Sequence, residues 1–309
     1  MNDARALEKV FLKLERDMPG KVFQNVPLAK KVTFRVGGNV AIFAVADTIS
    51  DLRLLMKTID RYGALYFVLG KGSNLLISDD GFRGVAIELG SGFKKISLDG
   101  HYLQAGAATP LSTLTQVAWK NGLKGFAFAV GIPGSLGGAL VMNAGAHDGC
   151  MANITSTVTV YTSNCELQVL NKPEVGFGYR TSALSSYGII VEAMLRLESG
   201  DSDRIRYLME RHFRKRKETQ PFDYPSAGSV FKNVSGISAG KIIDEAGCKG
   251  LCVGDAQIST KHANFIVNLG KATAQDIYTL IKRVQERVYR EKGFLLDSEI
   301  VMLGDFRDE

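Results

Sequence analysis

Gly131-Ile-Pro-Gly-Ser-Leu-Gly-Gly-Ala-Leu-Val-Met-Asn-Ala-Gly-Ala146 carries five glycines, one proline and one serine, and no charged residue. The apolar run Phe126 to Val130 leads into it and reads as a strand. Glycine lets a backbone approach a ligand closely and aim its N–H groups inward. A charge-free, glycine-dense turn after an apolar strand suits a buried diphosphate or a flat cofactor. A second such turn, Gly70-Lys-Gly-Ser-Asn-Leu-Leu76, follows the apolar run Leu65 to Leu69. Two of them in one half of the chain point to a large cofactor held at two places. Spacing alone leaves the other reading open, that both are tight structural turns.

The chain has 309 residues, enough for two domains with cores of their own. A hydrophobic share of 45% and a charged share of 23% are those of a globular protein. No apolar run approaches the roughly 20 residues that a membrane helix needs, so no membrane partner is expected. The opening Met1-Asn-Asp-Ala-Arg-Ala-Leu-Glu-Lys-Val10 has acidic residues and no long apolar stretch, unlike a secretory signal. A cytoplasmic location is therefore expected. The net charge of 38 − 32 = +6 is modest and fits anionic small ligands. The basic run Arg211 to Lys217 reads as a solvated helix face whose cations favour the C-terminal end of the helix dipole. No second basic cluster with interleaved aromatics accompanies it, so no nucleic-acid partner is expected. Cys150, Cys165, Cys248 and Cys252 form no C-x-x-C pair and match no zinc spacing. They read as small buried thiols, and no metal site is expected.

Periodicity predicts a lead-in helix over about Ala4 to Asp17, then alternating strands and helices from Thr33. Strands are expected at Ile42–Val45, Leu65–Leu69, Val85–Leu89 and Tyr102–Ala105, and later at Val158–Thr162, Leu167–Leu170 and Ile189–Leu197. A helix over Ser50–Tyr62 has Ser50 as its expected N-cap and Gly63 as its C-cap. Another covers Pro110–Asn121. A basic helix over Asp201–Lys217 ends toward Gln220-Pro221, where the composition shifts. Beyond it come helices at Ala239–Ala246 and Thr273–Lys292, and strands at Asn264–Asn268 and Ser298–Leu303. The expected domains are residues 1–32 (a helical lead-in), 33–200 and 201–309.

Several nucleotide and hydrolase signatures are absent. No G-x-G-x-x-G dinucleotide fingerprint occurs, no Gly-Lys pair sits in a P-loop frame, and there is no H-E-x-x-H. Gly236-Ile-Ser-Ala-Gly240 fits G-x-S-x-G, with Asp255 and His262 downstream. However, the preceding Lys-Asn-Val-Ser is a poor buried strand, and Ser238 reads better as the cap of the helix that follows.

Seven short segments, in order, carry a family resemblance: Gly70-Lys-Gly-Ser-Asn-Leu75, Gly131-Ile-Pro-Gly-Ser-Leu-Gly-Gly138, Asn143-Ala-Gly145, Gly178-Tyr-Arg-Thr-Ser182, Ala227-Gly-Ser-Val-Phe-Lys-Asn233, Ala246-Gly-Cys-Lys-Gly250 and Lys261-His-Ala-Asn-Phe265. With Thr33-Phe-Arg-Val-Gly-Gly38 at one end and Ser298-Glu299 at the other, the chain resembles the UDP-N-acetylenolpyruvoylglucosamine reductases. The resemblance implies an α+β fold: an FAD-binding domain of the vanillyl-alcohol-oxidase (PCMH) type, made of two α/β subdomains, plus a smaller α+β substrate-binding domain. That flavin fold does not use the dinucleotide fingerprint, in agreement with its absence. Between Tyr179 and Ile189 there is no room for the substrate-covering loop of the longer subclass, so the chain resembles the shorter one. Gln220 stands about where the longer form has a substrate-binding lysine, and that residue is not carried over.

The resemblance further implies NADPH as co-substrate, FAD as cofactor and a UDP-sugar as substrate. The reaction is reduction of a CH–CH bond in peptidoglycan precursor synthesis, with its links to cell shape and division. Arg180, Ser229 and Glu299 match the catalytic residues: a guanidinium to grip a carboxylate, a proton donor, and a carboxyl group to polarise an enolate. Lys232 is expected to assist Ser229 by its charge. For the cofactor, Arg35, Gly70, Lys71, Gly72, Ser73, Asn74, Leu75, Gly131, Ile132, Pro133, Gly134, Ser135, Gly137, Gly138, Asn143, Ala144 and Gly145 are the expected contacts, with backbone N–H groups taking the pyrophosphate. Lys232, Asn233, Gln257, His262 and Asn264 are candidates for substrate contact or support. Taken without the resemblance, Arg180 reads as a surface ion-pair residue, Ser229 as a turn hydroxyl and Glu299 as an exposed strand carboxylate. Two alternatives remain. One is another FAD-linked oxidoreductase of the same fold acting on an alcohol or sugar, and the other is a nucleotide-binding protein without turnover.

Overall fold

The computed structural model describes residues 4–308; residues 1–3 of the expected lead-in, and Glu309, lie outside the described residues. The chain forms two compact units, each assembled from separate stretches. One comprises Met1–Phe23, Phe43–Lys71 and Val85–Arg216, the other Gln24–Ile42, Gly72–Gly84 and Lys217–Glu309. The switch at Arg216–Lys217 falls near the composition shift at Gln220-Pro221, whereas the excursions 24–42 and 72–84 carry no such shift.

In the first unit, helix Ala4–Asp17 packs on helix Ile49–Tyr62. Each buries one apolar stripe, Val10 and Leu14 from the former and Leu52, Leu55, Met56 and Ile59 from the latter. The second helix starts one residue earlier than expected, and its cap is Thr48, not Ser50. Thr48 is extended, its side chain accepts from the Asp51 N–H, and the Asp51 carboxylate accepts from the Thr48 N–H, which closes a capping box. Ser50 lies inside the first turn. Strand Tyr66–Leu69 then pairs in parallel with Phe82–Leu89.

A five-stranded antiparallel sheet forms the other part of this unit, in the order Leu167–Asn171, Thr155–Tyr161, Ile189–Arg196, Tyr102–Gly106, Ile96–Asp99. Ala193 lies at the centre, opposite both Val158 and Ala105. The run Phe126 to Val130 is not a strand. Ala127–Ala129 is a single 3-10 turn, closed by a bond from the Ala129 N–H to the Phe126 carbonyl and continued by one from Ile132 to Ala129. A short apolar run is compatible with strand or turn, and here the glycines on either side, Gly125 and Gly131, both have positive φ and bend the chain.

The second unit is centred on helix Ala274–Lys292. Its buried stripe, Ile277, Leu280, Ile281, Val284 and Val288, faces a three-stranded antiparallel sheet (Cys252–Val253, Ala256–Ile258, Ile266–Asn268) and helix Ala239–Glu245. The start of the long helix is doubly secured. Thr273 and Asp276 form a capping box, and the Asp79 carboxylate accepts from the N–H groups of Ala274 and Gln275, each at 2.9 Å. Ser238 occupies the N-cap position of Ala239–Glu245, but its side chain makes no cap bond. Instead the Asn233 side-chain oxygen accepts from the Ala239 N–H at 3.0 Å. The terminal strand is Val301–Leu303, shorter than the expected Ser298–Leu303, and pairs in parallel with Leu75–Ile77. No helix among the described residues is long and apolar enough to cross a membrane.

Replacing Thr273 by alanine removes one partner of the capping box at the longest helix. The expected loss is about 1 kcal/mol of stability, read as a lower urea midpoint with an unchanged slope.

Candidate cofactor cavity and active-site residues

The first unit encloses a cavity of about 420 Å³. One wall is strand Tyr66–Leu69 with the following Gly70 and Lys71; the facing walls come from Ala107–Ala108, from Ser135, Gly137, Gly138 and Val141, and from Gly188–Ile190. Apolar side chains dominate, and Lys71 and Lys94 bring positive charge to the lining. Burial pushes the Tyr66 phenol up, so it stays a neutral hydroxyl. Of the residues expected at the cofactor, Gly70, Lys71, Ser135, Gly137 and Gly138 line this cavity. The sequence reading missed Lys94, Glu88 and the Gly188–Ile190 stretch.

The glycine-rich run is partly helical, since Leu136–Val141 is a helix capped by Ser135. Its first N–H groups are spent within the protein: Leu136 donates to Thr109 at 2.9 Å, Gly137 to Ala107 at 2.8 Å, and Gly138 to Ser135 Oγ at 3.4 Å. Those three donors are thus not held ready for a pyrophosphate. The glycines serve close approach instead. A Cβ on Gly70 would stand 2.8 Å from Ser135 Oγ, and one on Gly137 would stand 3.1 Å from the Ala107 methyl group. These absent side chains let the two turns and the strand end meet beside the cavity.

The remaining expected contacts are not in this cavity's lining. Gly72, Ser73, Asn74, Leu75 and Arg35 belong to the second unit. A Cβ on Gly72 would collide with the Lys31–Val32 backbone, the Gly72 carbonyl accepts from Thr33, and Leu75 opens the strand paired with Val301. Gly131, beside Phe213 and Arg216, is outside the cavity lining, and so are Ile132, Pro133 and Gly134. Asn143 is buried and both ends of its amide are used. Its Nδ2 donates to the Gly178 carbonyl at 2.8 Å, and its Oδ1 accepts from the Ala152 N–H at 2.9 Å. Ala144 and Gly145 form backbone bonds, to Ala139 and Met151 and to Arg180 respectively.

Those bonds position Arg180. It lies in a tight loop closed by the Gly178 N–H donating to the Thr181 carbonyl, with φ at 56°, a region that L-residues seldom adopt. Three ties hold the loop to residues 141–145: Asn143 to Gly178, Arg180 Nη2 to the Gly145 carbonyl at 3.0 Å, and Ser182 Oγ to the Val141 carbonyl at 2.9 Å. The guanidinium also lies over the Tyr179 ring, 5.3 Å from its centroid. Next along the chain, His147 stacks on His212 at 4.0 Å, with the rings 8° from parallel. Burial, aided by the positive charge of His212, Arg216 and Lys215 and opposed by Asp148, pushes His147 down to about 4.

In the second unit, Ser229 and Glu299 lie on neighbouring backbones. The Glu299 N–H donates to the Val230 carbonyl at 2.7 Å, Phe231 bridges to Ser298, and the Lys232 N–H donates to the Asp297 carbonyl at 2.9 Å. Asn74 Nδ2 donates to the Glu299 carbonyl at 3.0 Å. Among the candidates for substrate contact, Asn264 spends its side chain on Phe231, Asn233 caps a helix, and Gln257 Nε2 donates to Cys252 Sγ at 3.2 Å. His262 packs edge-on to Phe265 and is held low by burial and by the charge of Lys249.

A glycine-bounded, largely apolar cavity with lysines in its lining suits a flat cofactor bearing a diphosphate. A family model described as "FAD binding domain" matches residues 40–171, which include Gly70, Lys71, Lys94, Ser135, Gly137 and Gly138. Fold and cavity together define an FAD-binding flavoprotein of the α+β class. A second model, "UDP-N-acetylenolpyruvoylglucosamine reductase, C-terminal domain", matches residues 220–303. A UDP-N-acetylenolpyruvoylglucosamine reductase of Desulforamulus reducens is 42% identical over 94% of this chain and 97% of its own length. One from Halalkalibacterium halodurans is 39% identical over 97% of this chain and its whole length. The crystal structure of the Thermus caldophilus reductase (MurB) superposes with a TM-score of 0.81 at 40% identity, covering 91% of this chain and 98% of that one. The chain belongs to the UDP-N-acetylenolpyruvoylglucosamine reductase family and is an FAD-dependent oxidoreductase.

The His147–His212 stack has a measurable consequence. A histidine held below its unfolded value binds fewer protons folded than unfolded, so stability falls as the pH drops from about 6.5 toward 4. His147→Gln should flatten the thermal midpoint against pH over that window, and an unchanged slope there would show that this pair does not carry it.

Proposed function

We propose that this chain reduces UDP-N-acetylglucosamine enolpyruvate to UDP-N-acetylmuramate, with NADPH as electron source, in the cytoplasmic synthesis of peptidoglycan precursor. The strongest support is the backbone bond joining Glu299 to Val230, next to Ser229, in a chain 42% identical to a reductase of that name. FAD, when bound beside Gly70, Lys71, Ser135 and Gly138, supplies the hydride-transfer chemistry. The remaining work belongs to the chain's own residues.

Hydride addition at the enolpyruvyl methylene carbon leaves negative charge on the adjacent carbon and its carboxylate. Arg180 grips that carboxylate with parallel charge-assisted hydrogen bonds and is held for it by Gly145 and the Asn143 tie. Ser229 gives its hydroxyl proton to the carbanion carbon: a C–H bond forms, the O–H bond breaks, and the electron pair stays on Oγ until solvent reprotonates it. Lys232, three residues on, offsets that alkoxide charge. Glu299 polarises the developing enolate. Each group meets charge that exists only during the second half of the cycle, so removing it slows that half and leaves the first untouched.

Rapid-mixing kinetics on Ser229→Ala, with each half-reaction followed by flavin absorbance, checks this. Flavin reduction by NADPH should stay within about twofold of wild type, while reoxidation by the enolpyruvyl sugar slows by about two to four orders of magnitude. Equal loss in both halves would contradict the role given to Ser229.

A further inference from the structure

Asn264 makes an unusual set of bonds for a side chain that could have faced a ligand. It is 4% exposed. Its Oδ1 accepts from the Phe231 N–H at 2.9 Å, its Nδ2 donates to the Phe231 carbonyl at 2.9 Å, and its own carbonyl accepts from the Val230 N–H at 2.9 Å. Three bonds from one residue therefore fix the two residues that follow Ser229. The same two residues pair on their other side with the Glu299 segment, through Phe231 with Ser298 and the Glu299 N–H with Val230. The clamp thus acts on the backbone that carries Ser229 and, one bond further, on the backbone that carries Glu299.

The clamp is itself oriented. The Asn264 N–H donates to His262 Nδ1 at 3.2 Å, so that nitrogen carries no proton. His262 is braced by the edge of Phe265, with ring centroids 4.8 Å apart, and by Gly240, where a Cβ would stand 3.0 Å from the imidazole Cε1. Burial and the nearby Lys249 keep the ring neutral around pH 7. Asn264 continues into strand Ile266–Asn268, which belongs to the sheet under the long helix. A rigid element thereby holds the Ser229 backbone through a fully satisfied buried amide.

We infer that Asn264 is a positioning residue for the proton-delivery step, setting the Ser229 backbone against that of Glu299 through its three bonds to Val230 and Phe231. This rests on the reaction proposed above. An amide is required there: an aspartate of the same shape keeps the acceptor for the Phe231 N–H but turns the donor into a second acceptor facing the Phe231 carbonyl. A displaced hydroxyl costs rate without removing any chemical group, since misplacement of about 1 Å costs about a hundredfold.

The test is a double-mutant cycle on the FAD-loaded full chain, using Asn264→Asp, Ser229→Ala and the pair, with both half-reactions followed by flavin absorbance. Wild-type flavin must first be reoxidised by the enolpyruvyl UDP-sugar; if it is not, the proposed function fails, whatever the variants do. Given that turnover, Asn264→Asp should slow reoxidation by roughly tenfold or more and leave reduction by NADPH within about twofold. In the Ser229→Ala background the same change should cost less than about twofold, because the group it positions is gone. Full additivity, equal loss in both half-reactions, or wild-type reoxidation would each overturn the inference. Should Asn264→Asp not fold, His262→Phe keeps the ring and deletes the acceptor for the Asn264 N–H. It should slow reoxidation several-fold in the wild-type background only, and no change, or an equal change in both backgrounds, overturns the inference as well.

Discussion

A side chain at residue 70 would place its first carbon 2.8 Å from Ser135 Oγ, so the hydroxyl that caps the glycine-rich helix would have to shift, and with glycine there the two turns meet beside the candidate cofactor cavity. Gly70 follows the parallel strand Tyr66–Leu69 of one sheet, while Ser135 caps a helix that is hydrogen-bonded to Thr109 and Ala107, just past the end of strand Tyr102–Gly106 in the other. Closing that gap brings Leu69, Lys71, Gly137, Gly138 and Ile190 into one lining. The lining is largely apolar and carries Lys71, Lys94 and Glu88. The glycines are spent on backbone approach, and the helix-start N–H groups that looked available are already bonded. Lys71 and Lys94 are the lining groups that carry positive charge.

Buried amides do a comparable job throughout. Asn143 ties the Arg180 loop to the glycine-rich run, and Asn264 ties the Ser229 segment to its neighbours. Asn268 donates to the Phe34 carbonyl at 3.0 Å and accepts from the Gly270 and Ala272 N–H groups. Each stands where an irregular segment needs a partner for backbone groups that no strand or helix satisfies. A side-chain amide offers both a donor and an acceptor, so it can close such a gap alone. The irregular segments fixed in this way include those carrying Arg180 and Ser229, the residues given chemical roles. Precise placement of a reacting group on a loop requires such support, since a loop lacks a ladder of its own.

The sequence disclosed regular elements far better than the use made of their polar side chains. The long C-terminal helix was legible because Thr273, Asp276 and Gly293 mark its ends and its apolar residues recur at helical spacing. The glycine-rich turns and the order of seven short segments were enough for the family. The run Phe126 to Val130 misled, because five apolar residues fit a strand or a turn equally and the bend is set by the flanking glycines. Ser50 misled as a cap because Thr48, two residues earlier, has the partner that matters in Asp51. The bonds that Asn143 and Asn264 make to Gly178 and Phe231, 35 and 33 residues away, were not legible, since no local pattern encodes such a separation. Lys94 and Ile189–Ile190 escaped notice for the same reason: only the packing of separate strands turns them toward one cavity.

In the proposed reaction the chain holds a flavin which NADPH reduces and an enolpyruvyl UDP-sugar reoxidises. An anaerobic visible spectrum of the purified, FAD-reconstituted protein tests it most directly. The expected result is a flavin band that bleaches on adding NADPH and returns on adding UDP-N-acetylglucosamine enolpyruvate. A colourless protein that takes up no FAD, or a bleached band that the sugar fails to restore, would contradict it.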